Sequence, residues 1–134
     1  MRAVAAAIAA LFLLASPALG DVVYVPESPA GTDISSYAVG VDTIYISNQN
    51  YTSTLTPPSD GTEERPKVWI GQGAGATFAA IVPKSHNRFY NLTSTAGVTF
   101  PSDGKHVMFD GCTIVGSPNM KDADSSSVRN CTVG

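Results

Sequence analysis

The sequence predicts an all-β fold, wound as a solenoid of parallel rungs, on three observations. Short runs rich in Val, Ile, Thr and aromatic residues alternate with clusters of Gly, Pro, Asn, Asp and Ser. After residue 20, no window carries an apolar period of 3.6 residues that would mark an amphipathic helix. The second half also repeats itself. Phe89-Tyr90-Asn91-Leu92-Thr93-Ser94 recurs after 20 residues as Phe109-Asp110-Gly111-Cys112-Thr113-Ile114, and after 19 more as Val128-Arg129-Asn130-Cys131-Thr132-Val133.

Read in columns, the repeat is apolar at its first and fourth positions, turn-favouring at its third and Thr at its fifth. A period near 20 with one corner residue per unit is the pattern of a β-solenoid. Successive rungs then stack at about 4.8 Å, so like residues stand above like. Leu92, Cys112 and Cys131 form one inward file, and Asn91 and Asn130 sit at a corner where side-chain amides bridge rungs. Earlier strands fit more loosely. Val68 lies 21 residues before Phe89 and Ile44 lies 24 before Val68. That spacing puts Val68 and Ile70 in the core and turns Trp69 outward, either as an exposed sugar-stacking aromatic or, the favoured reading, under the loop of residues 52–65. About four rungs are expected. A small antiparallel β-sandwich is the competing architecture, because short strands at this spacing also suit it.

Length and composition bound the rest. A chain of 134 residues holds one domain. With 8 basic and 11 acidic side chains its net charge is −3, which excludes a basic nucleic-acid binder. Two Cys and two His leave no zinc cluster with finger-like spacing. Residues 1–20 read as a secretory signal peptide: Arg2, an apolar run from Ala3 to Ala15, then small residues at Ala18 and Gly20. The expected product is residues 21–134, secreted, with no membrane attachment after cleavage. In an exported glycoprotein the sequons at Asn50, Asn91 and Asn130 become relevant. Asn50 is the preferred one, since corner positions leave little room for a glycan at Asn91 and Asn130.

Two stretches carry a resemblance. Val41-Asp42-Thr43-Ile44-Tyr45-Ile46-Ser47, followed by Gly61-Thr62-Glu63-Glu64-Arg65-Pro66-Lys67-Val68-Trp69-Ile70-Gly71, resembles the opening rungs of right-handed parallel β-helix proteins of the pectate-lyase-like superfamily. The downstream F-D-G-C-T-I and V-R-N-C-T-V units are similar to that superfamily's inner strand and corner. The resemblance implies the N-terminal part of a right-handed parallel β-helix and a polysaccharide-directed function. If the chain is active, it implies a lyase or glycoside hydrolase, with Ca2+ as cofactor. The superfamily's members carry more rungs, whereas this sequence stops at Val133-Gly134 with an uncapped rung. Such an end calls for a partner surface. No catalytic residue of the superfamily falls on a matching motif here. A non-enzymatic, adhesin-like glycan binder and a truncated inactive product therefore stand beside the lyase.

Four groups of residues are candidates for chemistry. Tyr90, Asp110 and Arg129 share the second column of the repeat and face outward. They form either a sugar-acid subsite, with Arg129 on a carboxylate and Tyr90 as a stacking platform, or a plain Asp110–Arg129 ion pair. Asp122 and Asp124 flank Ala123 and either share a Ca2+ ion, which takes roughly 6–8 oxygen ligands, or line a solvated loop. His86 and His106 are 20 residues apart and become neighbours on one edge, beside Lys84 and Lys105. They supply either a proton-abstracting base or ordinary turn residues. Cys112 and Cys131 share an inward column, as a disulfide or as stacked thiols.

Overall fold

A computed structural model describes residues 21–100, 105–116 and 125–134. The signal-peptide assignment to residues 1–20 and the Asp122/Asp124 pair lie outside the described residues. The strands are β1 (Val22–Val25), β2 (Thr43–Ile46), β3 (Thr54–Leu55), β4 (Lys67–Gly71), β5 (Ala76–Phe78), β6 (Ala80–Ile81), β7 (Asn87–Tyr90), β8 (Leu92–Ser94), β9 (Met108–Asp110), β10 (Thr113–Ile114), β11 (Ser127–Arg129) and β12 (Thr132–Val133). One 3₁₀ turn, Ile34–Ala38, is capped by the Asp33 carboxylate, which accepts from Ser35 N–H.

The strands form three sheets, ordered β1-β2-β4-β7-β9-β11, β12-β10-β8-β5 and β3-β6. Every ladder among them is parallel. Parallel pairing of strands one repeat apart is a β-solenoid, and it excludes the antiparallel sandwich. The stack makes about five turns, one more than the repeat indicates.

The repeat columns hold in space. Phe109 pairs with Phe89 and with Val128, and Thr113 pairs with Thr93 and with Thr132. Each rung turns the corner through a left-handed residue: Asn91 (φ 55°), Gly111 (φ 66°) and Asn130 (φ 51°). Asn and Gly are the residues that adopt this conformation most readily. Asn91 Nδ2 then donates down the stack to the carbonyls of Gly71 (2.8 Å) and Gly73 (3.2 Å). At the opposite end of the same strands, His86 (φ 54°), His106 (φ 56°) and Ser125 (φ 53°) make the matching turn.

The register of β4 corrects the expectation by one residue. Trp69, not Val68, pairs with Ile44 on one side and Phe89 on the other. Trp69 is 0% exposed, while Val68 and Ile70 lie half-buried on the outer face. A slip of one residue flips every side chain of a strand. The inward register is tenable because the indole N–H finds a buried acceptor, Asn87 Oδ1, at 2.8 Å. The same flip buries Lys67, whose ammonium group donates to the carbonyls of Ala38 (2.9 Å) and Val41.

Aromatic rings run through the core along the stack. Trp69 and Phe89 stack at 6.3 Å between centroids and Phe89 and Phe109 at 4.7 Å, with Phe100 edge-on to Phe109 at 6.1 Å. On the second sheet Phe78 stacks on Tyr51 at 5.1 Å. Each such ring contributes roughly 1.5–3 kcal/mol through burial. Between the sheets, Leu92, Cys112 and the half-buried Cys131 continue the packed file.

Candidate functional site

Strand alternation places a continuous column on the outer face of the six-stranded sheet. Ladder by ladder it reads Tyr24, Tyr45, Ile70, Tyr90, Asp110, Arg129. Tyr24 and Tyr45 stack at 5.0 Å with an interplanar angle of 12°, and Tyr24 is 65% exposed. The structure thus brings the three expected residues, Tyr90, Asp110 and Arg129, into one file. It adds three that sequence reasoning missed. Tyr24 lies before the legible repeat, and the one-residue slip at β4 hid the continuity from Tyr45 through Ile70 to Tyr90.

The two ends of the column differ chemically. Its first four members, three tyrosines and Ile70, combine apolar surface with phenolic hydroxyls, which suits ligands that are part apolar and part hydroxylated. At the other end Arg129 Nε donates to Asp110 Oδ2 at 3.1 Å, and Asn130 Nδ2 donates to Asp110 Oδ1 at 3.2 Å. Asp110 is engaged on both oxygens. The exposed ion pair stabilises the fold by about 0–1 kcal/mol. A ligand carboxylate at Arg129 would compete with Asp110.

His86 and His106 do become neighbours, with ring centroids 4.7 Å apart and planes 18° from parallel. With Thr62, Glu63, Pro66 and Arg88 they line a cleft of ≈ 340 Å³ at the edge of the outer face. Lys105 is tied to this edge through its backbone: His86 N–H donates to Lys105 O at 2.9 Å. A second cleft of ≈ 310 Å³ adjoins it, lined by Asp42, Asp60, Thr62, Arg65 and Lys67 among others, with Arg65 paired to Asp42. No group of three or more His, Cys, Asp or Glu among the described residues is arranged to hold a metal ion.

Both cysteines carry free thiols, stacked so that Cys112 N–H donates to Cys131 Sγ at 3.3 Å. Burial pushes the Cys112 thiol up to about 12, which removes it from nucleophilic chemistry at neutral pH. Asn50 is exposed and its Oδ1 accepts from Thr52 N–H, whereas the amide of Asn91 is spent on the stack.

No protein family, curated protein or solved structure matches this chain. Two features stand out: a file of three tyrosines and Ile70 on successive strands, and the cleft beside it that holds Arg88, Glu63 and the two imidazoles.

Proposed function

We propose that this protein is a secreted, polysaccharide-directed β-solenoid that holds a glycan chain against the column Tyr24–Tyr45–Ile70–Tyr90. The observation that carries the reading is the stacked pair of exposed Tyr24 and half-buried Tyr45, aligned by strand register with Tyr90. Tyrosine faces offer C–H contact to sugar rings, and their hydroxyls reach the rim where sugar hydroxyls lie. The resemblance to pectate-lyase-like β-helices points to the same ligand class. Binding is favoured over turnover because the one carboxylate in the column, Asp110, is held on both oxygens by Arg129 and Asn130.

The test is a set of binding isotherms against a polysaccharide panel, for the wild type and for Tyr45→Ala and Tyr90→Ala. Loss of an aromatic platform of this kind costs about tenfold or more in affinity. Unaltered binding in the double variant overturns the reading. A lyase is the second reading, kept for the paired imidazoles at the neighbouring edge. Release of unsaturated, ultraviolet-absorbing product from uronate polymers, with and without Ca2+, separates it from binding alone.

A further inference from the structure

We propose that the cleft lined by Thr62, Glu63, Pro66, His86, Arg88 and His106 is a proton-coupled oxyanion site that takes a sulfate or phosphate monoester group. Three observations converge on it. Arg65 and Arg129 are each matched to a carboxylate, at Asp42 and Asp110. The side chain of Arg88, exposed and lining the cleft, makes no hydrogen bond or ion pair among the described residues. A free guanidinium presents a planar fork of donors suited to an oxyanion.

Beside it stand the two imidazoles, stacked face to face at 4.7 Å. Both lie on left-handed backbone, at φ 54° and 56°, where the other corner of the same rungs uses Asn91 and Gly111. His, like Asn, is among the non-glycine residues that enter this region most often, so the shared corner sets the two rings at equivalent positions of successive rungs. Two imidazolium rings at this distance repel unless an anion lies against them. An oxyanion therefore binds together with protons, and a doubly charged tetrahedral group compensates the pair better than a singly charged carboxylate.

The surroundings set the direction of the pH effect. Glu63 lines the cleft from the turn closed by Thr62 N–H to Arg65 O, and its carboxylate opposes an incoming anion. Lys84 and Lys105 flank the histidines in sequence, and Asp60 Oδ1 accepts from Ser85 N–H on the near side. Arg65 is paired with Asp42, and Lys67 is bound to backbone carbonyls. Glu64 is exposed beyond the turn. Positive charge on the imidazoles favours an anion in the cleft, and the Glu63 carboxylate disfavours it, so acid strengthens the site.

The experiment is a titration with inorganic sulfate, followed through the imidazole C–H resonances at pH 5.5 and pH 8, at ionic strength matched with chloride. Saturable shifts of both histidines at pH 5.5 are expected, with affinity about tenfold or more weaker at pH 8. Arg88→Ala should abolish saturation. His106→Asn, which keeps a residue tolerant of the corner conformation, should remove the pH dependence, and Glu63→Gln should strengthen binding at pH 8. Shifts that track total salt, that chloride reproduces, or that survive Arg88→Ala overturn the proposal. A sulfated polysaccharide against its desulfated counterpart identifies the source: sulfate-dependent binding of the polymer supports a glycan-borne ester, and equal affinity for polymer and inorganic ion supports a free anion. Because inorganic sulfate needs no aromatic column, failure here is distinguishable from failure of the glycan reading.

Discussion

Trp69 Nε1 donates to Asn87 Oδ1 at 2.8 Å, joining consecutive rungs where both side chains are 0% exposed. Asn87 Nδ2 donates in turn to Ser85 O (3.0 Å) and Ser59 O (3.3 Å), so one buried junction ties β4, β7 and the preceding loop. Asn87→Leu strands the indole N–H and is expected to cost about 1–3 kcal/mol in urea unfolding. Trp69→Phe combined with Asn87→Leu should cost less than the two singles summed, because the pair is coupled.

Two glycines separate conformational from steric demand. A Cβ at Gly111 (φ +66°) would meet nothing within 4 Å, so Gly111→Ala should lose only the left-handed penalty of about 1–2 kcal/mol. Gly111→Asn should lose less, as Asn91 and Asn130 occupy the equivalent corner. A Cβ at Gly71 would collide with the Asn91 carbonyl and come within 2.8 Å of Ala76 N. Gly71→Ala should therefore fail to fold cooperatively, read as loss of a sharp thermal transition.

Burial holds Lys67 below the ordinary 10.5 of lysine, with nearby Asp42 partly offsetting the shift. Between the folded value and 10.5 the unfolded chain binds more protons than the folded one, so stability from this group rises with pH across that window. Lys67→Met has no such term. The wild type should gain on this variant as pH climbs toward 10.5, measured as the difference in urea midpoints.

Cys112 behaves in the opposite sense. Its folded value is raised from 9.0 to about 12, so its contribution is intact below pH 9 and is lost as pH rises toward 12. In the native protein iodoacetamide should label the half-buried Cys131 well before Cys112, with Cys112 reacting only on unfolding. Peptide mass spectrometry reads both rates.

The stacked second half was legible because its corner residues and its threonine column recur in step, and both carry local physics: Asn and Gly for left-handed backbone, Thr for the outer face of a strand. The face of β4 was not. Val68, Trp69 and Ile70 are apolar in succession, so alternation there has no phase. The deciding partner, Asn87, lies 18 residues away and belongs to the next rung. From that ambiguity follows the late appearance of Tyr24 and Tyr45 as part of one column with Tyr90. The His86–His106 contact and the Asp110–Arg129 pair were visible in the 20- and 19-residue spacings, but the Arg65–Asp42 pair, and an Arg88 side chain unpaired among the described residues, were not.

Amide chemical-shift mapping of a bound oligosaccharide tests the central claim most directly. Perturbations confined to the strip from Tyr24 through Tyr45 and Ile70 to Tyr90 are the predicted result. Perturbations centred instead on the opposite threonine face, at Thr77, Thr93, Thr113 and Thr132, would contradict it.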